Sequence, residues 1–374
     1  MPKSKDRRYW LYDQEYNDVG SFLMYLHDLI KQAKVKINIL LVASHGNIRE
    51  ELESWIPETF NVTIKHRLPV FSMDIRKEFE ERPPITVQAT VVKYDTSTPI
   101  YLVVSDCTAV DFKHVVGKLL SKHYPNISKI FLTNNEMFSI FRGLEEETGC
   151  EIMVDSSIGK KRIWRPGKKK ESQVTYTNAP YDEVFDEIIS RDAWVQLIKF
   201  TATKSHIVPE QVENTYAYSG VISRDCFFSI RGDFKPFIQH VIPRAVGFAS
   251  ARVEYLEERA KTASKPKPEP IVIRFDEQVF TDKSKNRRYI DAIAELEAAS
   301  ISEYHTNPYI HVSMLDYLDG SSYDIWVVSD DKMIIIPQYS ATSASMGRLV
   351  NHVFQRIQEG KVEQYAKPAI AANN

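Results

Sequence analysis

Cysteine is scarce: Cys107, Cys150 and Cys226 are the only thiols in 374 residues, and no two form a Cys-x-x-Cys pair. That excludes a disulfide scaffold and a cysteine-based zinc module, and it fits a reducing compartment. Glycine (13) and proline (18) are few, which excludes collagen-like and low-complexity chains. Long apolar runs are missing too. The most apolar short stretch, Val35–Ala43, is broken by Lys36 and Asn38 and is too short to span a bilayer. Charge of one sign is lacking: 48 Lys and Arg against 50 Asp and Glu leave a formal −2, so any pull on a polyanion must come from a local patch. The first eight residues carry Lys3, Lys5, Asp6, Arg7 and Arg8 ahead of no apolar run, the pattern expected of a cytoplasmic chain without a secretory leader.

Signature motifs are absent as well. There is no GxxxxGK[ST], GxGxxG or GxSxG, which removes the usual nucleotide-binding and serine-hydrolase signals. The ten histidines form no HExxH and no paired Cys/His spacing, so no metal and no cofactor is expected.

What is present is an ordinary globular composition, 43% hydrophobic and 26% charged, with 19 Tyr, 18 Phe and 5 Trp to fill cores. A chain of this length usually holds more than one core.

Periodicity predicts a mixed α/β (α+β) chain. Phe22, Tyr25, Leu26, Leu29 and Ile30 mark a helix, Val35–Ala43 a buried strand, and Ile48, Leu52, Trp55 and Ile56 a helix capped by Asn47 with Glu50 three residues on. Phe60, Val62 and Ile64 alternate as a strand should. Phe71–Glu81 is expected to be a short helix, and Ile85–Tyr94 and Ile100–Ser105 a hairpin. Asp111 is expected to cap a helix striped by Phe112, Val115, Val116, Leu119 and Leu120. Strand Ile130–Thr133, helix Asn135–Thr148 and strand Cys150–Val154 follow.

The order then recurs. Tyr181, Val184, Phe185, Ile188 and Ile189 mark a helix; Val195–Thr203, Tyr216–Ser223 and Cys226–Ile230 a strand meander; Asp233 caps the next helix, and Val253–Leu256 reads as a strand. A third copy has a helix at Ile290, Ile293 and Leu296, and strands Ile310–Tyr317 and Ile325–Ser329 around the turn Asp319-Gly320. Its closing stripe is Met346, Leu349, Val350, Val353 and Phe354. Asp111-Phe112-Lys113 matches Asp233-Phe234-Lys235, and Leu102–Asp106 resembles Trp326–Asp330. These matches read as repeated helix–strand meander–helix modules. The expected division is a domain over 1–155, helix–meander–helix domains over 172–259 and 271–365, and basic or Pro-rich linkers over 156–171 and 260–270.

The sharpest local feature is basic. From Gly159 to Lys170 the chain places Lys160, Lys161, Arg162, Arg165, Lys168, Lys169 and Lys170 around Trp164, with no carboxylate among them. Cations in this density attract phosphate through counterion release, and an aromatic among them can stack a base. Lys160, Lys161, Arg162, Trp164, Arg165, Lys168, Lys169 and Lys170 are therefore the candidate nucleic-acid contacts. Lys283, Lys285, Arg287 and Arg288 form a second cluster before a predicted helix, where cations oppose the helix dipole. Asp106, Asp330 and Asp331 end predicted strands and serve either as turn formers or as metal-binding carboxylates.

Ile310-His311-Val312-Ser313 with Asp319 resembles the His-x-Lys strand and following Asp of phospholipase D-like domains. Ser313 stands at the Lys position and Asp319 lies one residue out of register. The corresponding strand of the first unit has Gln88 and Thr90 with Asp95. Without the Lys the resemblance implies a binding fold and not a phosphodiesterase.

The reading that follows is a non-enzymatic intracellular binding or assembly subunit, with nucleic acid as partner through the basic loop, other proteins as further partners in a complex, and no membrane. The alternatives are a phosphoester hydrolase (a nuclease or a degenerate phospholipase D-like enzyme) whose site is assembled from distant strands, and a protein–protein adaptor.

Overall fold

The computed structural model describes residues 16, 18–33, 35–65, 70–162, 173–174, 178–208, 211–260 and 269–365. The chain is mixed α/β, with antiparallel sheets and amphipathic helices on them. In chain order the elements are α1 (Val19–Ala33), β1 (Ile37–Ser44), α2 (Ile48–Ser54), β2 (Phe60–Lys65), β3 (Val70–Lys77), β4 (Ile85–Lys93), β5 (Ile100–Ser105), α3 (Ala109–His114), α4 (Val116–Lys122), β6 (Ile127–Lys129) and α5 (Asn134–Thr148). Next come β7 (Glu151–Lys161), β8 (Gln173–Val174), β9 (Ala179–Pro180), α6 (Tyr181–Ser190), β10 (Ala193–Val208), β11 (Gln211–Ser223), β12 (Phe227–Gly232), a π-turn at Phe237–Val241 and α7 (Ile242–Arg259). The last are β13 (Ile271–Phe275), α8 (Asn286–Ala294), β14 (Ala299–His305), β15 (Ile310–Asp316), β16 (Ser322–Ser329), β17 (Lys332–Pro337), α9 (Ser343–Arg356) and β18 (Gly360–Gln364). Two compact units result, one of Met1–Lys160 with Ser172–Ala251 and the other of Lys161–Glu171 with Arg252–Asn374, the last boundary falling inside α7.

The first unit is organised by one sheet in the order β2-β3-β4-β5-β1-β12-β11-β10-β7-β8, with β6 added to β1 and β9 to β7. Strand β1 is buried along its whole length because it lies inside the sheet between β5 and β12. On one face Leu40, Val42, Met73, Ile75, Val91 and Val103 pack with Ile48 and Leu52 of α2 and with Phe112, Val116 and Leu119 of α3 and α4. In the other half of the sheet Phe141, Phe200 and Phe237 form an aromatic core. Phe141 and Phe200 meet edge to face at 5.1 Å, and Phe200 and Phe237 stack at 6.1 Å. Gly220 on β11 makes that stack possible: a Cβ there would lie 2.8 Å from the Phe237 ring and 3.0 Å from the Ser229 carbonyl.

The second unit has a six-stranded sheet in the order β14-β15-β16-β17-β13-β18. The order matches β2-β3-β4-β5-β1-β6 strand for strand, and in both units the strand that comes first in the chain pairs antiparallel with the last of its meander. Ile310, Val312, Met314, Tyr323, Ile325, Val327, Met333 and Ile335 alternate inward, and the inner faces of α8 and α9 supply Ile290, Ile293, Met346, Leu349, Val350 and Val353. Asp316 is fully buried, yet Arg348 of α9 pairs with it at 2.5 Å, and Ser345 Oγ and the Leu318 N–H donate to it. The buried charge is thereby compensated, and α9 is tied to the end of β15.

Several expectations are corrected. Phe71–Glu81 is not a helix: Phe71, Met73 and Ile75 point into the core at period two, and the segment is hydrogen-bonded to β2 and β4 as β3. Val253–Leu256 is not a strand but the last part of α7, where Val246, Ala249 and Leu256 hold helical spacing. The strand expected at Ile130–Thr133 is Ile127–Lys129. Thr108, not Asp111, caps α3; Asp111 is the third helical residue and bonds back to Thr108. Asp233 accepts from the Lys235 N–H at the start of its helical turn. The shared Asp-Phe-Lys tripeptide therefore occupies different positions, and Leu102–Asp106 ends the fourth strand of its meander while Trp326–Asp330 ends the third.

Two predictions follow from the packing. Gly220→Ala forces apart the Phe200–Phe237 stack and should cost about 1–3 kcal/mol, read as a lowered thermal midpoint; an unchanged midpoint refutes the tight packing. His352 of α9 is buried and meets the Ala292 carbonyl at 2.8 Å. Burial, with Arg356 and Arg348 adding to it, pushes its pKa down from 6.5 to about 4. The fold thus favours neutral imidazole. That stabilisation is complete above pH 6.5 and is lost as pH falls towards 4. Between pH 7 and 5 the wild type should lose about 2 kcal/mol more than His352→Gln in urea unfolding of the full chain, and parallel losses refute it.

Candidate nucleic-acid interface

Strand β7 runs directly into the basic segment, and three of its cations fall within the described residues. The Lys160 ammonium lies 5.5 Å from the centre of the Trp194 ring, Lys161 is exposed, and Arg162 is buried. Arg224, fully buried, also approaches Trp194, at 5.1 Å, and Phe131 at 5.6 Å. Trp164, Arg165, Lys168, Lys169 and Lys170 lie outside the described residues.

Three of the four cations of the second basic cluster are paired within their own unit, and Arg288 is exposed. Lys283 pairs with Asp330 at 2.8 Å, Lys285 with Asp282 at 3.2 Å, and Arg287 with Asp291 and Glu303 at 3.1 and 2.7 Å. The same geometry accounts for two of the three strand-end aspartates, Asp330 and Asp331. Asp330 holds Lys283, and Asp331 holds Arg274 at 3.2 Å and accepts from Ser329.

The residues that carry the phospholipase D-like resemblance are not brought together. Asp319 accepts from Thr342, the N-cap of α9, and from the Ser321 N–H. His311 instead lies among Tyr304, Trp326 and Asp324. In the first unit Gln88 donates to Asp74, Thr90 is buried, and Asp95 accepts from the Ser97 N–H as a turn residue, which holds its carboxyl below the usual range. Among the described residues no group of three or more His, Cys, Asp or Glu is placed to hold a metal ion.

A different set of cations is assembled on the first unit. The inner stripe Val116, Leu119 and Leu120 of α4 is buried, so Lys118 and Lys122, four residues apart, share the outer face and are exposed. Lys77, at the end of β3, donates to the His114 carbonyl at 2.8 Å, closing the last turn of α3. Its ammonium lies 5.2 Å from the Phe60 ring and 4.8 Å from the Phe79 ring, and the Arg82 guanidinium sits 3.7 Å above Phe79. Burial pushes the Lys77 pKa down, and Lys118, Arg82 and Lys122 push it further. Among the described residues Arg82, Lys118 and Lys122 form no ion pair with a carboxylate; of the acids between Lys77 and Arg82, Glu78 is held by Arg76 at 2.9 Å, and Glu80 and Glu81 are exposed.

Sequence reasoning missed this patch because its members come from a strand end, a loop and a helix. The one linear signal was the four-residue spacing of Lys118 and Lys122, overlooked while the stripe between them was being read as core.

No protein-family model matches the chain, and no curated protein is significantly similar to it. Among the described residues no helix is long and apolar enough to cross a membrane.

The three thiols offer little nucleophilic chemistry. Cys150 and Cys226 are buried, and burial pushes the partly buried Cys107 up to about 11. At pH 7.5 Cys107 in the folded chain should react with iodoacetamide about tenfold or more slowly than a free thiol of ordinary pKa, measured by mass spectrometry over time; labelling at the free-thiol rate contradicts this.

Proposed function

We propose that this chain is a non-enzymatic binding subunit that engages nucleic acid. The phosphate backbone is held by the patch Lys77, Arg82, Lys118 and Lys122; Lys161, Arg165 and Lys168–Lys170 of the basic run are a separate contact. The observation that carries the reading is the gathering of Lys77, Arg82, Lys118 and Lys122 on the first unit, none of them in an ion pair with a carboxylate among the described residues. The cations at Lys283–Arg287, by contrast, are balanced by acids around them. Uncompensated cations repel one another and lower the stability of the fold that holds them, and a polyanion removes that repulsion while releasing its own counterions. Phe79 is engaged by both Lys77 and Arg82, so the patch itself reads backbone charge and not base identity.

The test is fluorescence anisotropy with labelled single- and double-stranded DNA and RNA across a salt series, on the full chain. Each phosphate contact contributes about 0.9 to the logarithmic salt slope on duplex DNA and about 0.7 on single strands. Lys118→Gln/Lys122→Gln should therefore flatten the slope by about 1.4–1.8 and weaken binding at low salt. Lys168→Gln/Lys169→Gln/Lys170→Gln reports the share of the run separately. An unchanged slope in the first variant removes the patch from the site, and no binding by the wild type at low salt removes the nucleic-acid reading altogether.

A further inference from the structure

The outward face of the second unit's sheet carries a built aromatic row. His311 on β15 lies directly across from Trp326 on β16, and Trp326 from Ile334 on β17. The His311 ring is tilted against Trp326 at 4.3 Å and against Tyr304 of β14 at 4.8 Å, so the three rings run as one stack across three strands. Tyr304 is 64% exposed and Trp326 38%. The stack exists because these strands alternate. Ile310, Val312, Tyr323, Ile325 and Val327 turn inward under α8 and α9, which forces His311, Trp326 and Val328 outward.

Negative charge predominates beside the row; on the same face stands the cation Lys332 of β17, two residues from Ile334. Strands β14, β15 and β16 contain no lysine or arginine. Of their carboxylates, Asp316 is consumed by Arg348 and Glu303 by Arg287. Asp324 remains beside the rings: one oxygen lies 3.9 Å from His311 Nε2, and the other accepts from the Gln338 amide at 2.8 Å. Within 271–365 as a whole there are nine Lys and Arg against fourteen Asp and Glu.

We propose that this row, Tyr304–His311–Trp326 with Asp324, is a binding site for an arginine side chain presented by a basic segment of a partner protein. The ring faces carry negative charge density and attract a cation laid over them. A guanidinium fits better than an ammonium because it is planar, stacks on Trp and Tyr, and forks onto a carboxylate. A phosphate-bearing ligand or an anionic lipid surface would meet Asp324 with no cation on these strands to offset it. A second copy docked face to face would set two Asp324 carboxylates against each other. Charge complementarity therefore selects a basic protein segment, an occupant chemically opposite to the nucleic acid of the first unit and independent of it.

The experiment uses the full chain and a fluorescein-labelled peptide of alternating arginine and glycine, with the alternating lysine–glycine and glutamate–glycine peptides and a labelled oligonucleotide as controls. The arginine peptide should bind, the lysine peptide several-fold more weakly, and the glutamate peptide not at all. Trp326→Ala and Asp324→Asn should each weaken arginine-peptide binding about tenfold, while Trp326→Phe, which keeps a ring, restores most of it. Oligonucleotide binding should be unchanged in all three variants. Equal peptide binding by wild type and Trp326→Ala, with circular dichroism unchanged, overturns the proposal. So does loss of oligonucleotide binding in Trp326→Ala, which would make the row a base-stacking surface. Self-association of the wild type that Trp326→Ala abolishes overturns it in favour of a second copy.

Discussion

Strand β1 is the constraint on which the first unit depends. It is the strand through which the β2–β5 meander and the β10–β12 meander become one sheet, and it has no solvent-facing side chain anywhere along it. A strand buried on both faces is usually all apolar, yet Asn38 sits in it fully buried. Its amide donates to the Cys107 carbonyl at 2.6 Å, and its oxygen accepts from Ser229 on β12 at 2.7 Å. Ser105, opposite Asn38 on β5, bonds to the Gln88 carbonyl of β4. This polar row has a partner only in one register. Sliding either meander by a residue would leave a buried amide unsatisfied, at about 1–3 kcal/mol, and would turn the neighbouring core residues to the wrong face. Apolar burial drives the sheet together, and Asn38 specifies how it aligns.

With the sheet fixed, the surface charges are largely fixed too. The helices on β1–β5 are held by their inner stripes, so their outer residues have no freedom to choose neighbours. That is how Lys118 and Lys122 come to share a face and how Lys77, anchored on the His114 carbonyl, comes close to both. Exposed ion pairs contribute little stability, typically 0–1 kcal/mol. The balanced cluster at Lys283–Arg287 is thus a local charge match more than a structural support. The same weakness explains why the uncompensated patch is tolerable: its repulsion is spread over a wet surface and screened within about 8–10 Å.

What could be read in the sequence follows the same division. Helical stripes such as Phe22–Ile30, Phe112–Leu120 and Met346–Phe354 were legible because one face of each is buried by its own unit and the 3.6-residue period survives in the text. Strand β3 was not. Val70, Phe71, Ser72 and Met73 are all buried, so alternation is lost just where sheet pairing decides the structure. The end of α7 failed for the converse reason: Val253 to Leu256 is short enough to fit either period. The turn Asp319-Gly320 was legible, but its role was not, since the group that meets Asp319 is Thr342, more than twenty residues away. Neither surface singled out by the structure was legible as a set. Lys77 and Lys118 are neighbours only after α3 and α4 fold onto β3 and β4, and the Tyr304–His311–Trp326 row needs three strands in register.

The two surfaces differ in how they should feel salt, and this follows from their construction. The attraction proposed for the first unit is between point charges and phosphate, so its free energy would be dominated by counterion release and would fall steadily as salt rises. On the second unit a guanidinium would lie against rings that are already desolvated on one side by the strands beneath them. Part of that contact is ring stacking and apolar burial, which salt does not screen, and only the Asp324 share is Coulombic. The aromatic row should therefore hold its partner over a range of ionic strength in which the basic patch has released its own.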